Sequence, residues 1–195
     1  MLFVCTGNIC RSPLAEALLE ARSRRLGLPV HVESAGTWAH RGNPATPDAV
    51  TAGREVGLEL EGHRARPLSD HLVHRADLVL GLTREHRDEV VGLVPEAAGR
   101  TFTLKELAAL LGRLPAPPAH TDRDVALQRI VEAHRMRTGL GPPVVEDADV
   151  GDPIGSALFV YRDVASDIEV AVDAILAGLF GDRRRAARAT ASGEG

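Results

Sequence analysis

Cysteine is nearly absent: the 195-residue chain has only Cys5 and Cys10. Two thiols build neither a disulfide scaffold nor a four-cysteine zinc site. Long apolar runs are missing as well. None reaches the roughly 18 consecutive apolar residues of a membrane span, so no transmembrane segment is expected. Met1-Leu2-Phe3-Val4 lacks a basic region ahead of a long apolar stretch, so no secretory signal is read. The two cysteines are therefore expected as thiols in a reducing, cytoplasmic setting. A strong excess of one charge is lacking too. The formal net charge of -4 gives no global pull towards nucleic acid or acidic membrane. Lysine is almost missing: Lys105 stands alone beside 22 arginines. With the many Ala, Gly and Pro, this reads as genome composition rather than function. The eight histidines show no zinc-site pairing with cysteine and no H-E-x-x-H pattern, and most are expected exposed.

What is present reads as one α/β domain. Hydrophobic residues at 44% and charged residues at 26% are ordinary for a globular chain. Leu2-Phe3-Val4 is a short buried strand ending in a glycine-containing turn. A helix follows from Pro13 to about Arg25, with Ser12 at the N-cap and Pro13 at the first helical position. Val30-His31-Val32, running toward Ser34, reads as a second strand. Helices are expected from Thr46-Pro47 to about Val56 and from Leu68 to His74. Asp77 to Leu80 is a third strand, Arg84 to Val94 a helix, Thr101-Phe102-Thr103 a fourth strand and Leu104 to Leu111 a helix. Leu158, Tyr161, Val164, Ile168, Ala171, Ile175 and Leu179 recur at three- and four-residue steps, so a long amphipathic helix closes the fold. Strand–helix alternation implies a parallel sheet covered on both faces. The domain is expected over residues 1–180. Residues 113–150, with a Pro-rich start, a polar helix over about Asp122 to Arg137 and a break at Gly139 to Pro143, read as a surface insertion. Residues 181–195 read as a flexible tail, and Arg183-Arg184-Arg185 as a solvated run rather than a nucleic-acid contact.

The chemistry sits at the first turn. Cys5-Thr6-Gly7-Asn8-Ile9-Cys10-Arg11-Ser12 joins the first strand to the first helix. A turn of this kind can wrap its backbone N–H groups around an oxyanion. The helix N-terminus adds about half a unit of positive charge. Arg11 offers a planar fork for two phosphate oxygens. Cys5, held over such a nest, has its thiolate favoured, and the Ser12 hydroxyl can donate to it. Thr6, Gly7, Asn8, Ile9, Cys10 and Ser12 are the expected phosphate-binding residues around this nucleophile. Asn8 and Ser34 are candidates to hold the loop by side-chain hydrogen bonds. Trp38 reads either as an aromatic wall beside the cradle or as a surface residue. Cys10 alone reads as loop packing.

Cys-Thr-Gly-Asn-Ile-Cys-Arg-Ser-Pro, directly after an apolar strand, strongly resembles the low molecular weight protein tyrosine phosphatases. Ser34-Ala35-Gly36-Thr37, Gly57-Leu58, His63 to Leu68, Ala76 to Leu80 and Gly151-Asp152-Pro153 extend the likeness over roughly residues 1–112 and 145–180. The resemblance implies a four-stranded parallel sheet with helices on both faces. It implies a two-step reaction without metal or other cofactor: Cys5 takes the phosphoryl group and water removes it. It implies an Asp-Pro general acid. Of Asp147, Asp149 and Asp152, only Asp152 precedes a proline; an Asp-Pro turn that merely shapes a loop is the bland alternative. It also implies a reversible Cys5–Cys10 disulfide as the functional alternative for Cys10, and a structural hydrogen bond for His63.

Two departures bear on substrate. Ile154 stands where the family usually carries an aromatic wall residue, which weakens aryl stacking by about 1 kcal/mol. Ile9 stands where the related arginine phosphatases carry Thr, which favours phosphotyrosine over phosphoarginine. The expected partner is thus a phosphotyrosine protein, with no nucleic acid and no membrane; oligomeric state is not legible. Arsenate reduction survives only in its single-cysteine form, because no cysteine follows Cys10. A phosphate-sensing module without catalysis is disfavoured by the complete set of expected catalytic residues.

Overall fold

The computed structural model describes residues 1–118, 121–140 and 145–181, with the side chain of Leu140 excepted. His120, part of the expected break at Gly139 to Pro143, and the tail beyond Gly181 lie outside the described residues. The elements run β1 Leu2–Cys5, α1 Arg11–Arg25, β2 Glu33–Gly36, α2 Pro47–Glu55, α3 Asp70–Arg75, β3 Val79–Gly81, α4 Arg84–Leu93, a 3-10 turn Pro95–Arg100, β4 Thr101–Thr103, α5 Leu104–Arg113, α6 Arg123–Leu140 and α7 Leu158–Phe180.

The four strands form one parallel sheet in the order β2-β1-β3-β4, as the resemblance implies. Side chains alternate across it. Phe3, Cys5, Leu80 and Phe102 face the larger core, shared with α1, α5 and α7. Leu2, Val4, Ala35 and Val79 face the smaller one, closed by Leu72, Val73, Val90 and Val94 of the α3 and α4 side. The periodic stripe of α7 is buried as its spacing predicts, from Tyr161 through Ile168 to Leu179.

Chain order turns outward in both directions from β1 and β3. The loops after these two strands therefore meet at a topological switch point, where open parallel sheets place ligands. β1 delivers Cys5 there, and β3 delivers Leu82 and Thr83.

Three expectations shift. β2 begins at Glu33 rather than Val30, because its pairing partner β1 begins at Leu2, opposite Glu33. Helix α1 begins at Arg11, with Cys10 as an N-cap that makes no side-chain bond. The Ser12 hydroxyl is taken up elsewhere, by the sulfur of Cys5. The expected surface insertion at 113–150 is partly core: α6 buries Ala126, Ile130 and Ala133. Its Arg137 lies 4.4 Å over the Phe102 ring and donates to the Thr101 and Ala98 carbonyls, while Arg129 donates to the Gly178 carbonyl. Three apolar side chains and two desolvated arginines tie this helix to the body.

Candidate active site

The loop after β1 is shaped by one residue in an unusual conformation. Asn8 has φ 53°, the left-handed region that Asn tolerates better than most residues. It is fully buried, and every polar group of its side chain is engaged. Its Nδ2 donates to Ser12 Oγ at 2.9 Å and to Ser34 Oγ at 2.7 Å. Its Oδ1 accepts from the Arg66 backbone N–H at 2.9 Å. Its carbonyl lies 2.7 Å from His63 Nε2. Ser34 in turn donates to Glu16 Oε2 at 2.5 Å. The expected roles of Asn8, Ser34 and His63 as holders of the loop are thus present as geometry. Gly36 is required by close approach. A Cβ there would lie 2.4 Å from the Thr6 carbonyl and 2.8 Å from the Asn8 nitrogen, both backbone atoms that cannot yield cheaply.

On this frame Cys5 Sγ sits 3.0 Å from Ser12 Oγ. Asn8 donates to that same hydroxyl, so the Ser12 proton is left to point at sulfur or at the Ala35 carbonyl, 3.4 Å away. The first amides of α1 have no intrahelical partner and carry the positive end of its dipole. Arg11 is 3% exposed, and a buried guanidinium is tolerated only when paired. Its Nη1 donates to the Val150 carbonyl at 3.1 Å. Its Nη2 donates to Asp152 Oδ2 at 2.7 Å and reaches Thr6 Oγ1 at 3.4 Å. Cys10 is buried beside Cys5, and both are free thiols. Burial, reinforced by the charge of Cys5, pushes the Cys10 thiol strongly up.

The three acidic candidates are sorted by their partners. Asp147 pairs with Lys105 at 3.0 Å. Asp149 receives the backbone N–H and the guanidinium of Arg84, whose hydrogen bonds hold its carboxyl below the usual range. Asp152 alone reaches the loop, through Arg11, with a side chain 47% exposed. The segment carrying it is also pinned by Val150 N–H to the Leu82 carbonyl at 2.8 Å. Its Oδ1 accepts from the Ile154 N–H at 3.2 Å, the bond of an Asp-Pro turn.

The two expected wall residues flank the cradle without packing on it. Trp38 is tethered by its N–H to the Thr6 carbonyl at 2.9 Å while its side chain stays outside, and Ile154 is half exposed. Among the described histidines, His31, His40, His71 and His74 are exposed, His63 and His134 are partly covered, and His86 alone is buried. His86 is buried, with Nε2 3.0 Å from Thr6 Oγ1 and Nδ1 2.7 Å from Thr83 Oγ1. Burial, with the Arg11 charge nearby, pushes it down to about 4, so its imidazole is neutral. Sequence reasoning missed His86, Thr83, Arg66, Glu16 and the Val150 carbonyl. Only the short spacing of Thr83 and His86, a helix N-cap three residues ahead of a histidine, was readable beforehand.

Such a cradle can hold a tetrahedral oxyanion with a thiol beneath it and a carboxyl group at its mouth. That is the layout of a cysteine-dependent phosphatase. The family model of the low molecular weight phosphotyrosine protein phosphatases matches residues 1–133. The chain is 32% identical over 184 residues to a protein-arginine-phosphatase of Bacillus subtilis, covering 94% of this chain and 99% of that protein. It is 44% identical over 108 residues to a probable low molecular weight protein-tyrosine-phosphatase of Ralstonia solanacearum, covering 55% of this chain and 71% of that protein. A solved low molecular weight protein tyrosine phosphatase from T. tengcongensis superposes with a TM-score of 0.68 at 32% identity, covering 90% of this chain and 95% of that one. The chain belongs to the low molecular weight phosphotyrosine protein phosphatase family, a family of phosphatases. The family match runs into α6, well past the limit of residue 112 expected from the motifs.

Proposed function

We propose that this phosphatase hydrolyses phosphotyrosine in proteins through a phosphocysteine intermediate. The observation that carries the reading is the ion pair between Arg11 and Asp152, 2.7 Å long across 141 residues of sequence. It brings an Asp-Pro carboxyl group to the loop that holds the thiol.

The chemistry follows from the contacts. The Cys5 thiolate attacks phosphorus in line, forming an S–P bond as the P–O bond to tyrosine breaks. Loop amides from Thr6 to Ser12 and the Arg11 guanidinium hold the phosphoryl oxygens as charge redistributes. Asp152, protonated for this step, gives its proton to the departing phenolate. In the second step Asp152 takes a proton from water. The water oxygen bonds to phosphorus, the S–P bond breaks, and the Ser12 hydroxyl stabilises the leaving thiolate. Phosphate departs with Cys5 and Asp152 restored. Because Asp152 is held by the same guanidinium that is to bind phosphate, substrate entry has to share or displace that pair.

Trp38 and Ile154 form the two sides available to the aryl ring. Residues 1–180 act as one catalytic domain in a cytoplasmic, reducing setting, where Cys5 stays reduced. No helix among the described residues is long and apolar enough to cross a membrane.

Phosphoarginine is the second reading. The likeness to the Bacillus subtilis arginine phosphatase extends over 94% of this chain, against 55% for the Ralstonia tyrosine phosphatase. Ile9 argues for the first reading, since it offers no hydroxyl to a guanidinium-linked phosphate. The test is phosphate release from matched phosphotyrosine and phosphoarginine peptides by wild type and Cys5→Ser. Tyrosine turnover that Cys5→Ser abolishes supports the proposal. Faster release from the phosphoarginine peptide replaces it with the second reading. Absence of release from both by the folded, reduced protein rejects both.

A further inference from the structure

The proton count around His86 leads to a function for Thr6 beyond its backbone amide. Thr83 Oγ1 caps α4 by accepting the His86 backbone N–H at 3.3 Å. The same oxygen lies 2.7 Å from His86 Nδ1. The second lone pair could accept Nδ1–H, but the proton of the half-buried Thr83 hydroxyl would then face no acceptor among the described residues, whereas donation from Thr83 to Nδ1 leaves the spare proton on the exposed Thr6 instead. Nδ1 is then the acceptor, and the single N–H of the neutral imidazole sits on Nε2. Nε2 faces Thr6 Oγ1 at 3.0 Å and donates to it. Arg11 Nη2 is a second donor aimed at Thr6 Oγ1, at 3.4 Å. Both acceptor sites of the Thr6 oxygen therefore face donors, and its own proton has to point away from them. Thr6 is the exposed residue of the loop, and the same Arg11 nitrogen that it touches holds Asp152. The remaining direction is the open side of the loop.

We infer that the Thr6 hydroxyl is a directed hydrogen-bond donor to the bound phosphoryl group, and that His86 is the positioning residue that aims it. The inference rests on the phosphatase reading above. The backbone of Thr6 is fixed independently, its carbonyl accepting the Trp38 N–H at 2.9 Å and lying against Gly36. The side chain thus turns on one bond only, and His86 sets that turn. A neutral histidine suits this task. Were it charged, Nδ1 would also donate and the Thr83 hydroxyl would have to rotate away. Burial and the Arg11 charge keep it neutral down to about pH 4. The relay crosses the switch point, so the first turn of α4, after β3, controls a donor in the loop after β1.

Three measurements test this. The first is the imidazole nitrogen spectrum of the folded protein at neutral pH, which is expected to show the Nε2–H tautomer for His86; the Nδ1–H tautomer overturns the inference. The second is calorimetric binding of inorganic phosphate. Thr6→Val keeps the shape and removes the donor, and is expected to weaken binding about tenfold, while Thr6→Ser restores it to within about twofold. Phosphate binding by Thr6→Val equal to wild type overturns the inference. The third is a cycle. His86→Leu is expected to lose about the same factor as Thr6→Val, with no further loss in the double variant. His86→Gln, whose amide nitrogen reaches the Nε2 position, is expected to keep most of the affinity. Additive losses overturn the positioning role. If His86→Leu does not fold, His86→Gln and the Thr6 pair still decide. Phosphate binding requires no turnover, so a protein that binds phosphate through Thr6 yet releases none from phosphopeptides sinks the proposed function and leaves the donor assignment standing.

Discussion

The floor and the rim of the cradle are built in opposite ways. The floor is dry and over-determined: Asn8 and Ser12 are wholly buried, and the Asn8 side chain makes three hydrogen bonds to three different segments. The rim is wet and loosely tied. Trp38 is 76% exposed, Ile154 is 50% exposed, and Asp152 depends on one ion pair and one turn bond. The difference teaches where chemistry and choice of substrate are kept apart. Geometry around the nucleophile is set before substrate arrives, as preorganised electrostatic catalysis requires. Selection is left to side chains that can change without disturbing that floor.

The sharpest way to break the comparison is at the rim residue to which the proposed reaction gives a chemical task. Asp152→Asn is expected to lower kcat by about 10²–10⁴-fold. The loss should shrink on an activated aryl phosphate, whose leaving group needs no proton; equal losses on good and poor leaving groups would deny Asp152 the acid role. Next comes the floor. Asn8→Ala leaves Ser12, Ser34 and the Arg66 N–H short of a partner and puts a Cβ residue without local hydrogen bonding in the left-handed region. Denaturant unfolding should register a cost of about 2–4 kcal/mol, together with loss of activity. A destabilisation below about 1 kcal/mol would mean the floor is less determined than its contacts state.

A smaller effect concerns acid. Folded His86 takes its proton only near pH 4, the unfolded residue near 6.5. Its contribution to stability is therefore complete above about 6.5 and is lost as pH falls towards 4. Over that window wild type should lose more thermal stability than His86→Gln, by a few degrees in Tm; parallel curves would refute the assignment. The smallest effect is expected at the rim. Ile154→Tyr adds an aryl surface and should raise kcat/KM on phosphotyrosine by about two- to fivefold with unchanged stability. Loss of activity there would place Ile154 in the floor's logic rather than the rim's.

How far the site was readable follows the same division. Cys5, Arg11 and Ser12 lie within eight residues, and a strand-to-helix turn brings them together by local geometry alone. Asp152 was readable only through its proline and the family likeness, since nothing local separates it from Asp147 and Asp149. The structure separates them by charge: Lys105 and Arg84 take the other two. The loop contacts of His86, Arg66 and Glu16 were invisible, because their partners stand 80, 58 and 18 residues away. The helix start at Ser12 was misread for a related reason. A serine ahead of a proline is a good cap by propensity, but here the sulfur of Cys5 and the amide of Asn8 take its hydroxyl.

The amino-acid order alone determined the alternation of strands and helices, the stripe of α7 and the presence of a thiol–arginine loop at the first turn. These depend on periodicity and on neighbours within a few residues, and both survive in a linear reading. Tertiary structure decided that the loop lies at the switch point between β1 and β3, which aspartate reaches Arg11, that α6 belongs to the body, and that a buried histidine stands behind Thr6. Each of these depends on the desolvation of polar groups brought from distant parts of the chain, which acquires a value only once the sheet is assembled and water has left.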